Sequence, residues 1–375
     1  MAVAEVLFWV AAGLLVYTHV GYPLVLALAA RRRRARPSAA PAELPRVSLI
    51  VAAHDEQEVI AAKVANALAL EYPRGLLELI VACDGCADRT AELARGAGAD
   101  LVLELPRAGK VPAQNAAVER ASGELLAFSD ANALWEPDAL RELVAPFGDP
   151  AVGYACGQAR LLDQGGSNQE GAYWRYELAV RELESSLAGV TAGNGAIYAV
   201  RASAYLALGP AASHDLSFPF MLTKRGLRAV YAPAAVSEEK MVATTEGEFS
   251  RKRRMMRGLY DEVVRDGMLA PRGYPAAYAW EIYSHRVLRY ASPLLHLIAL
   301  VTNLVLLDQG TVYAFTLAAQ LLLLVAAALA GAIPIGPFRI ARYYVLMTAS
   351  IAAGFWDRIR HGTPGAWEKA EGTRS

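Results

Sequence analysis

Asp130 and Asn132 stand two residues apart where an apolar run, residues 124–128, ends. Along an extended chain, residues i and i+2 project from one face, so both side chains can turn toward a single ion. Their oxygens suit a hard divalent cation, Mg²⁺ or Mn²⁺, clamped to a diphosphate, and disfavour zinc. The bland alternative is a turn in which Asp and Asn only cap their own backbone. Acids also gather where other apolar runs end: one runs into Ala53-His54-Asp55-Glu56, another into Asp84-Gly85-Cys86-Ala87-Asp88-Arg89-Thr90. Asp88 and Thr90 are ordinary helix-capping types. Asp84 is followed by a glycine that permits close backbone approach, which makes it the stronger ligand candidate. Cys83 and Cys86 form a Cys-x-x-C, but a structural zinc needs four ligands and no second pair or suitably spaced histidine follows. With Cys156 the only other cysteine, there is no disulfide framework, in keeping with a reducing compartment.

The elements that must position these groups alternate. Short aliphatic runs at 47–53, 77–82, 99–104 and 125–129 read as strands, and amphipathic stretches at 56–70, 88–96, 110–121 and 136–145 as helices. Near-continuous apolar strands separated by helices predict an α/β fold with a buried, mainly parallel sheet flanked by helices. Ligands in such folds bind at the carboxyl ends of the strands, where the acids lie. A Rossmann dehydrogenase is excluded: Gly96-Ala97-Gly98 is a lone G-x-G before a strand, where the fingerprint needs G-x-G-x-x-G after one.

The chain is 55% hydrophobic, unevenly so. Residues 3–30 and 294–335 are nearly all apolar, and about 20 such residues cross a bilayer core. Basic residues follow the first run (Arg31, Arg32, Arg33, Arg34, Arg36) where a cleaved signal would have them in front, so it reads as a retained anchor with the chain after Arg31 in the cytoplasm. A formal net charge of zero and the adjoining apolar segment argue against a nucleic-acid arm. Spans are expected at about 290–307 and 311–333, after an aromatic stretch, 271–290, with the composition of a bilayer-surface helix. A third segment, 343–356, is short and flanked by arginines on both sides, so the count stands at three or four.

Over roughly residues 47–260 the chain resembles a membrane-bound family 2 glycosyltransferase of the GT-A fold, in the cellulose-synthase-like group. The segments that carry this are VSLIVAAHDEQEVI, ACDGCADRT, GKVPAQNAAVERASGELLAFSDAN, TAGNGAIYAVR, SHDLSFPFMLTKRG and EFSRKRRMMRG. The resemblance implies transfer of a sugar from a nucleotide diphosphate sugar, with UDP the expected carrier, using Mg²⁺ or Mn²⁺. It places Glu56 against the nucleotide, Asp84 on the base, and Lys110 and Asn115 near the nucleotide, with a solvated helix start as the alternative for Lys110. Asp130 and Asn132 replace the family's D-x-D, and a neutral amide is the weaker ligand for a hard cation. His214-Asp215 stands at the family's acidic pair, so Asp215 is assigned the general base of an inverting displacement; His214 is either its partner or a loop residue. The processive members' Q-x-x-R-W becomes Arg251-Lys252-Arg253-Arg254-Met255, keeping the arginine as Arg254 and losing the tryptophan that would stack an acceptor sugar. Arg251 and Arg254 are expected to meet the leaving diphosphate, the alternative being a basic helix on anionic lipid.

The expected organisation is an anchor (1–30), a basic linker (31–45), a cytoplasmic GT-A domain (46–265), an interfacial segment (266–290), membrane helices (291–357) and a tail (358–375). The protein is then a multi-pass enzyme of the cell (inner) membrane, adding sugar to a lipid-linked or growing envelope polysaccharide. The competing readings are a polyprenyl-phosphate monoglycosyltransferase and a non-catalytic nucleotide-sugar-binding scaffold of an envelope assembly complex.

Overall fold

The structure, a computed structural model, describes residues 1–32, 41–162, 169–240, 245–333 and 335–362. Strands β1 (Val47–Ala53), β2 (Leu77–Asp84), β3 (Leu101–Leu105) and β4 (Leu125–Asp130) follow the apolar runs of the sequence. Every β1 residue is buried, because helices cover both faces and neither needs polar side chains. One face packs Val47, Leu49 and Val51 with α3 (Ile60–Leu68), α4 (Thr90–Gly96) and α6 (Ala139–Val144). The other packs Ile50 and Phe128 with α5 (Lys110–Val118) and α8 (His214–Lys224).

The remaining strands are β5 (Leu134–Trp135), β6 (Val152–Leu162), β7 (Tyr198–Arg201) and β8 (Arg228–Lys240), giving the order β3-β2-β1-β4-β7-β6-β8-β5. Pairing is parallel from β3 through β4 and between β6 and β8, and antiparallel where β7 joins β4 and β6 and where β5 joins β8. The sheet is therefore mixed: the half from β3 to β4 is the parallel one read from the sequence, and the half beyond β4 is not.

Outside the sheet lie α1 (Ala2–Val16), α2 (Tyr22–Arg32), α7 (Gln169–Leu187), α9 (Thr245–Tyr260), α10 (Ala276–Glu281), α11 (Leu288–Val305), α12 (Thr311–Leu329) and α13 (Gly336–His361). Among the described residues, three helices are long and apolar enough to cross a membrane: Ala2–Arg31, Ala276–Val305 and Thr311–Leu329. They expose Val6, Val10, Leu24, Leu297, Val301, Phe315 and Leu322, side chains that only an apolar surrounding would satisfy. The stretch expected to lie flat before the second span is instead continuous with it, through a π-helical turn at Ile282–Val287. That turn meets a second one, Tyr17–Gly21, where Thr18 donates its hydroxyl to the Ser284 carbonyl at 2.7 Å. A widened turn frees carbonyls from the helical ladder, and here a neighbouring helix takes one up.

The short third segment of the sequence lies within α13, which is not among the three apolar helices. It packs on α9, where Arg253 holds both oxygens of Asp357 at 2.6 Å and Arg257 adds a third bond at 3.2 Å. Arg358 returns the arrangement, binding both oxygens of Asp261 just beyond α9.

Candidate active site

The parallel register brings the ends of β1, β2 and β4 level, with Ala53 beside Cys83 and Ala52 beside Asp130. Asp84, the last residue of β2, is buried, and its carboxylate accepts the N–H groups of Ala108 at 2.6 Å and Gly109 at 3.0 Å. It thereby shapes the turn that opens α5 and aims Lys110. Gly85 follows at φ 61°, where an added Cβ would lie 2.6 Å from that of Arg107, so the close approach it permits is to this same turn. Glu56 is buried at the end of β1, its N–H donated to Thr90 Oγ1 at 2.7 Å. Asp88 accepts from the Thr90 and Gln57 N–H groups, which is the capping role. Asp55, Cys86 and Asp88 offer ligand atoms within 4.8 Å of one another, but Asp55 accepts the Ala87 N–H at 2.7 Å, so the group ties two loops together. The cysteines are free thiols, and Cys83 hydrogen-bonds Cys86.

Lys110 donates its ammonium to the Asp130 carboxylate. Burial would lower its pKa, but Asp130, with Asp215 and Glu239 further off, outweighs that and raises it. Gly195 comes close behind: an added Cβ there would sit 3.9 Å from Nζ. Asp215 lies in the first turn of α8, partly exposed, where a negative charge is favoured by the helix dipole. Its carbonyl accepts the Gly193 N–H at 2.6 Å. Gly193 must be a glycine, because a Cβ would overlap the Tyr154 hydroxyl at 1.8 Å. Two acids thus act on one lysine, Asp130 by direct contact and Asp215 through its charge.

Two of the side chains singled out from the sequence lie elsewhere. Asn115 is committed to Leu208, whose carbonyl accepts its Nδ2 at 2.9 Å, and to Tyr205, whose hydroxyl it accepts at 2.6 Å. Five residues along a helix turn a side chain through about 140°, so Asn115 cannot share the face of Lys110. His214 is neither a partner of Asp215 nor a loop residue. It is buried at the start of α8 among Phe128, Tyr205 and Phe218, and its Nδ1 is 2.8 Å from the Tyr198 hydroxyl. Burial, with the Lys110 charge adding to it, pushes its pKa down to about 3, so it is neutral. On α9, Arg254 is half-buried between the arginines that Asp357 holds, and the side chain of Arg251 lies outside the described residues.

Two charged groups at the site were missed. Lys63, fully buried on α3, donates to the Ala133 carbonyl at 2.6 Å and sits 5.1 Å from the Trp135 ring centre, bracing the turn after Asp130 from behind. Burial brings it down to about 7 against the opposing pull of Asp130 and Glu239. Glu262, also buried, accepts the Ser213 N–H at 2.6 Å and both the Ser213 and Ser217 hydroxyls, and so caps α8. Burial first, then the charge of Asp215, pushes it up to about 8, against the hydrogen bonds from Ser213. At neutral pH the N-terminus of α8 then carries a protonated buried acid behind an exposed one. Lys63 could have been found as a cation on the apolar face of an amphipathic helix; Glu262 has no comparable local signal.

The mixed sheet thus carries acids at or just beyond the ends of β1, β2 and β4, with a further acid in the first turn of α8. A model described as "Glycosyltransferase like family 2" matches residues 45–260, more than half of the chain, and the chain belongs to that family. Poly-beta-1,6-N-acetyl-D-glucosamine synthase of Staphylococcus aureus (strain COL) is 25% identical over 236 residues, 60% of this chain and 57% of that protein. Beta-monoglucosyldiacylglycerol synthase of Trichormus variabilis is 37% identical over 117 residues, 29% of this chain and 25% of that one. The chain thus spans little more than half the length of the first and a quarter of the second. Among solved structures, the mannosyltransferase PcManGT from Pyrobaculum calidifontis, in complex with GDP-Man and Mn²⁺, superposes with a TM-score of 0.72 at 24% identity, over 94% of this chain and 99% of that one. That likeness shows the fold over nearly the whole chain.

Proposed function

We propose that the protein is a membrane-anchored inverting glycosyltransferase that moves a sugar from a UDP-sugar to a lipid-linked or growing envelope glycan. The observation that carries this is the placement of Asp130 at the end of β4, bound by Lys110, with Asp215 opposite at the N-terminus of α8. Asp215 takes the proton from the acceptor hydroxyl as its oxygen attacks the anomeric carbon, and the bond to the nucleotide diphosphate breaks on the other face. Asp84 and Glu56 shape the nucleotide end, and Lys110 and Arg254 balance the charge of the departing diphosphate.

The donor set fits a hard divalent cation. Asp130 and Asn132 offer a carboxylate and an amide oxygen in one partly exposed turn, and among the described residues no cluster of histidine or cysteine ligands includes them. The ion would be held by these two residues, and would supply charge neutralisation at the diphosphate. Exposed apolar helices, and arginines directly after the first of them, support a membrane-embedded chain with residues 46–265 on the cytoplasmic side.

Single-sugar transfer to polyprenyl phosphate is the second reading. Met255 in place of tryptophan favours it, because the ring that would stack an acceptor sugar at that position of α9 is lost. A panel of nucleotide sugars offered to membranes with Mg²⁺ or Mn²⁺, followed by release of nucleotide diphosphate, tests the reaction. Feeding polyprenyl phosphate then separates the acceptors: a one-sugar lipid supports the second reading and an extended glycan the first. No release with any donor refutes both.

A further inference from the structure

Glu177, Arg181 and Glu184 recur at four and three residues on α7, so they share one helical face, and all three are buried. Buried charges are strongly unfavourable unless they are paired and hydrogen-bonded. Glu184 meets that condition through three chain segments at once. One carboxylate oxygen accepts the Tyr22 hydroxyl at 2.7 Å and His285 Nδ1 at 2.6 Å, from the first and second membrane-spanning helices. The other accepts the N–H and hydroxyl of Thr191 at 3.2 and 3.0 Å. Burial alone would raise the Glu184 carboxyl, but His285, Arg286 and Tyr22 beside it outweigh this and hold it below the ordinary range.

Thr191 opens the loop that faces Lys110 and Asp215. The second spanning helix grips this loop twice more, Arg286 Nε donating to Thr191 Oγ1 at 2.9 Å and the Tyr278 hydroxyl to the Val190 carbonyl at 3.1 Å. Two residues on, Arg181 Nη2 donates to the Gly193 carbonyl at 3.0 Å, and the Gly193 N–H holds the Asp215 carbonyl at 2.6 Å. Hydrogen bonds at Thr191 and at Gly193, joined by the backbone between them, therefore link Tyr22 and His285 to Asp215. A tether would need only apolar contact with the membrane. These helices instead bring polar groups to the one loop that registers Asp215.

We infer that Glu184 is a positioning residue through which the two membrane helices set the 190–195 loop, and with it Asp215, so that sugar transfer depends on their docking. This rests on the reading of Asp215 as the base. The test uses the full chain in phospholipid nanodiscs, with Tyr22→Phe and Thr191→Val, each of which removes a hydroxyl at nearly constant volume. Amide hydrogen exchange at residues 190–193 should speed up about tenfold in both, the size expected when a bond to a charged group is lost, while β1 to β4 stay protected. Transfer kcat should fall by a similar factor with the affinity for UDP unchanged. The inference is overturned by exchange at 190–193 that does not change, by faster exchange with undiminished transfer, or by exchange that rises throughout the domain together with loss of UDP binding. Should the wild type transfer no sugar from any donor, the assignment of Asp215 fails, and the exchange measurement alone decides whether the helices set the loop.

Discussion

A cation that binds Asp130 must first displace the ammonium of Lys110, so Lys110→Met should bind Mn²⁺ more tightly than the wild type while transferring sugar more slowly. Both side chains are about a quarter exposed, at 27% and 26%, which places the pair between the surface and buried limits. Two unit charges at about 4 Å attract by about 4 kcal/mol at an effective dielectric of 20. Desolvation and side-chain ordering offset most of this, leaving a net of roughly 1–2 kcal/mol. Because Asp130 raises the Lys110 pKa, the ammonium stays charged throughout the working pH range, and the competition is not titrated away. Removing it should therefore lower the Mn²⁺ dissociation constant of the nucleotide-free protein by about tenfold, since about 1.4 kcal/mol corresponds to a decade. The assay is a titration at pH 7.5 without nucleotide, following the spectrum of free Mn²⁺ by electron paramagnetic resonance. Asp130→Asn serves as the control that should abolish binding. Unchanged or weaker Mn²⁺ binding in Lys110→Met would refute the reasoning, because Asp130 would then not be a ligand for which the lysine competes.

Asp215→Asn should lower transfer kcat by about 10²- to 10⁴-fold with UDP affinity preserved, as expected for loss of a general base; wild-type turnover would remove that assignment. Glu262 keeps its proton in the folded state up to about pH 8, whereas an unfolded glutamate loses it near pH 4.5, so the folded protein binds more protons between these values. Its contribution to stability is fully present below about pH 4.5 and is lost as pH rises through about 8. The melting midpoint should accordingly fall from pH 6 to pH 9, and Glu262→Gln, which mimics the protonated acid, should flatten that fall; a midpoint that rises with pH would contradict it. Asp357→Asn releases Arg253 and Arg257 and should lower the melting midpoint in detergent by several degrees, with the loss reversed in no salt condition if the pair is the anchor of α13 on α9.

The first four strands were legible because burial on both faces leaves a run with no alternation to misread: β1 is VSLIVAA and all seven residues are buried. Their acidic ends followed from the parallel order, and the structure brings Glu56, Asp84 and Asp130 to one edge as the spacing implied. The second half of the sheet was not legible in the same way. Its antiparallel pairings join β7 to β4 and β6 across long separations, and no local periodicity records which distant strand will be a neighbour. Asn115 and His214 failed for opposite reasons. The first is set by helical rotation, which spacing gives if it is counted in degrees. The second is set by packing: besides Phe218 one helical turn on, the ring contacts of His214 come from Phe128, Tyr198 and Tyr205, at least nine residues away, so its local sequence does not distinguish it from a catalytic histidine.

The charged face of α7 shows how buried polar contacts between distant segments stay hidden in a sequence. Glu177, Arg181 and Glu184 have the spacing of any solvated helix face, and that is the natural reading when the partners are unknown. The partners, Tyr22, His285 and Arg289, stand at 101 to 162 residues' separation from the acids they bind, in segments whose apolar character identifies them only as membrane helices. One signal was present. His285, Arg286 and Arg289 sit just before the apolar core of a span, where ionised groups are unfavourable unless something buried answers them. Two arginines and a histidine in that position require acids from another element, and α7 carries acids at a spacing able to meet them. The charge that appears gratuitous in each segment is thus accounted for only when the two are taken together.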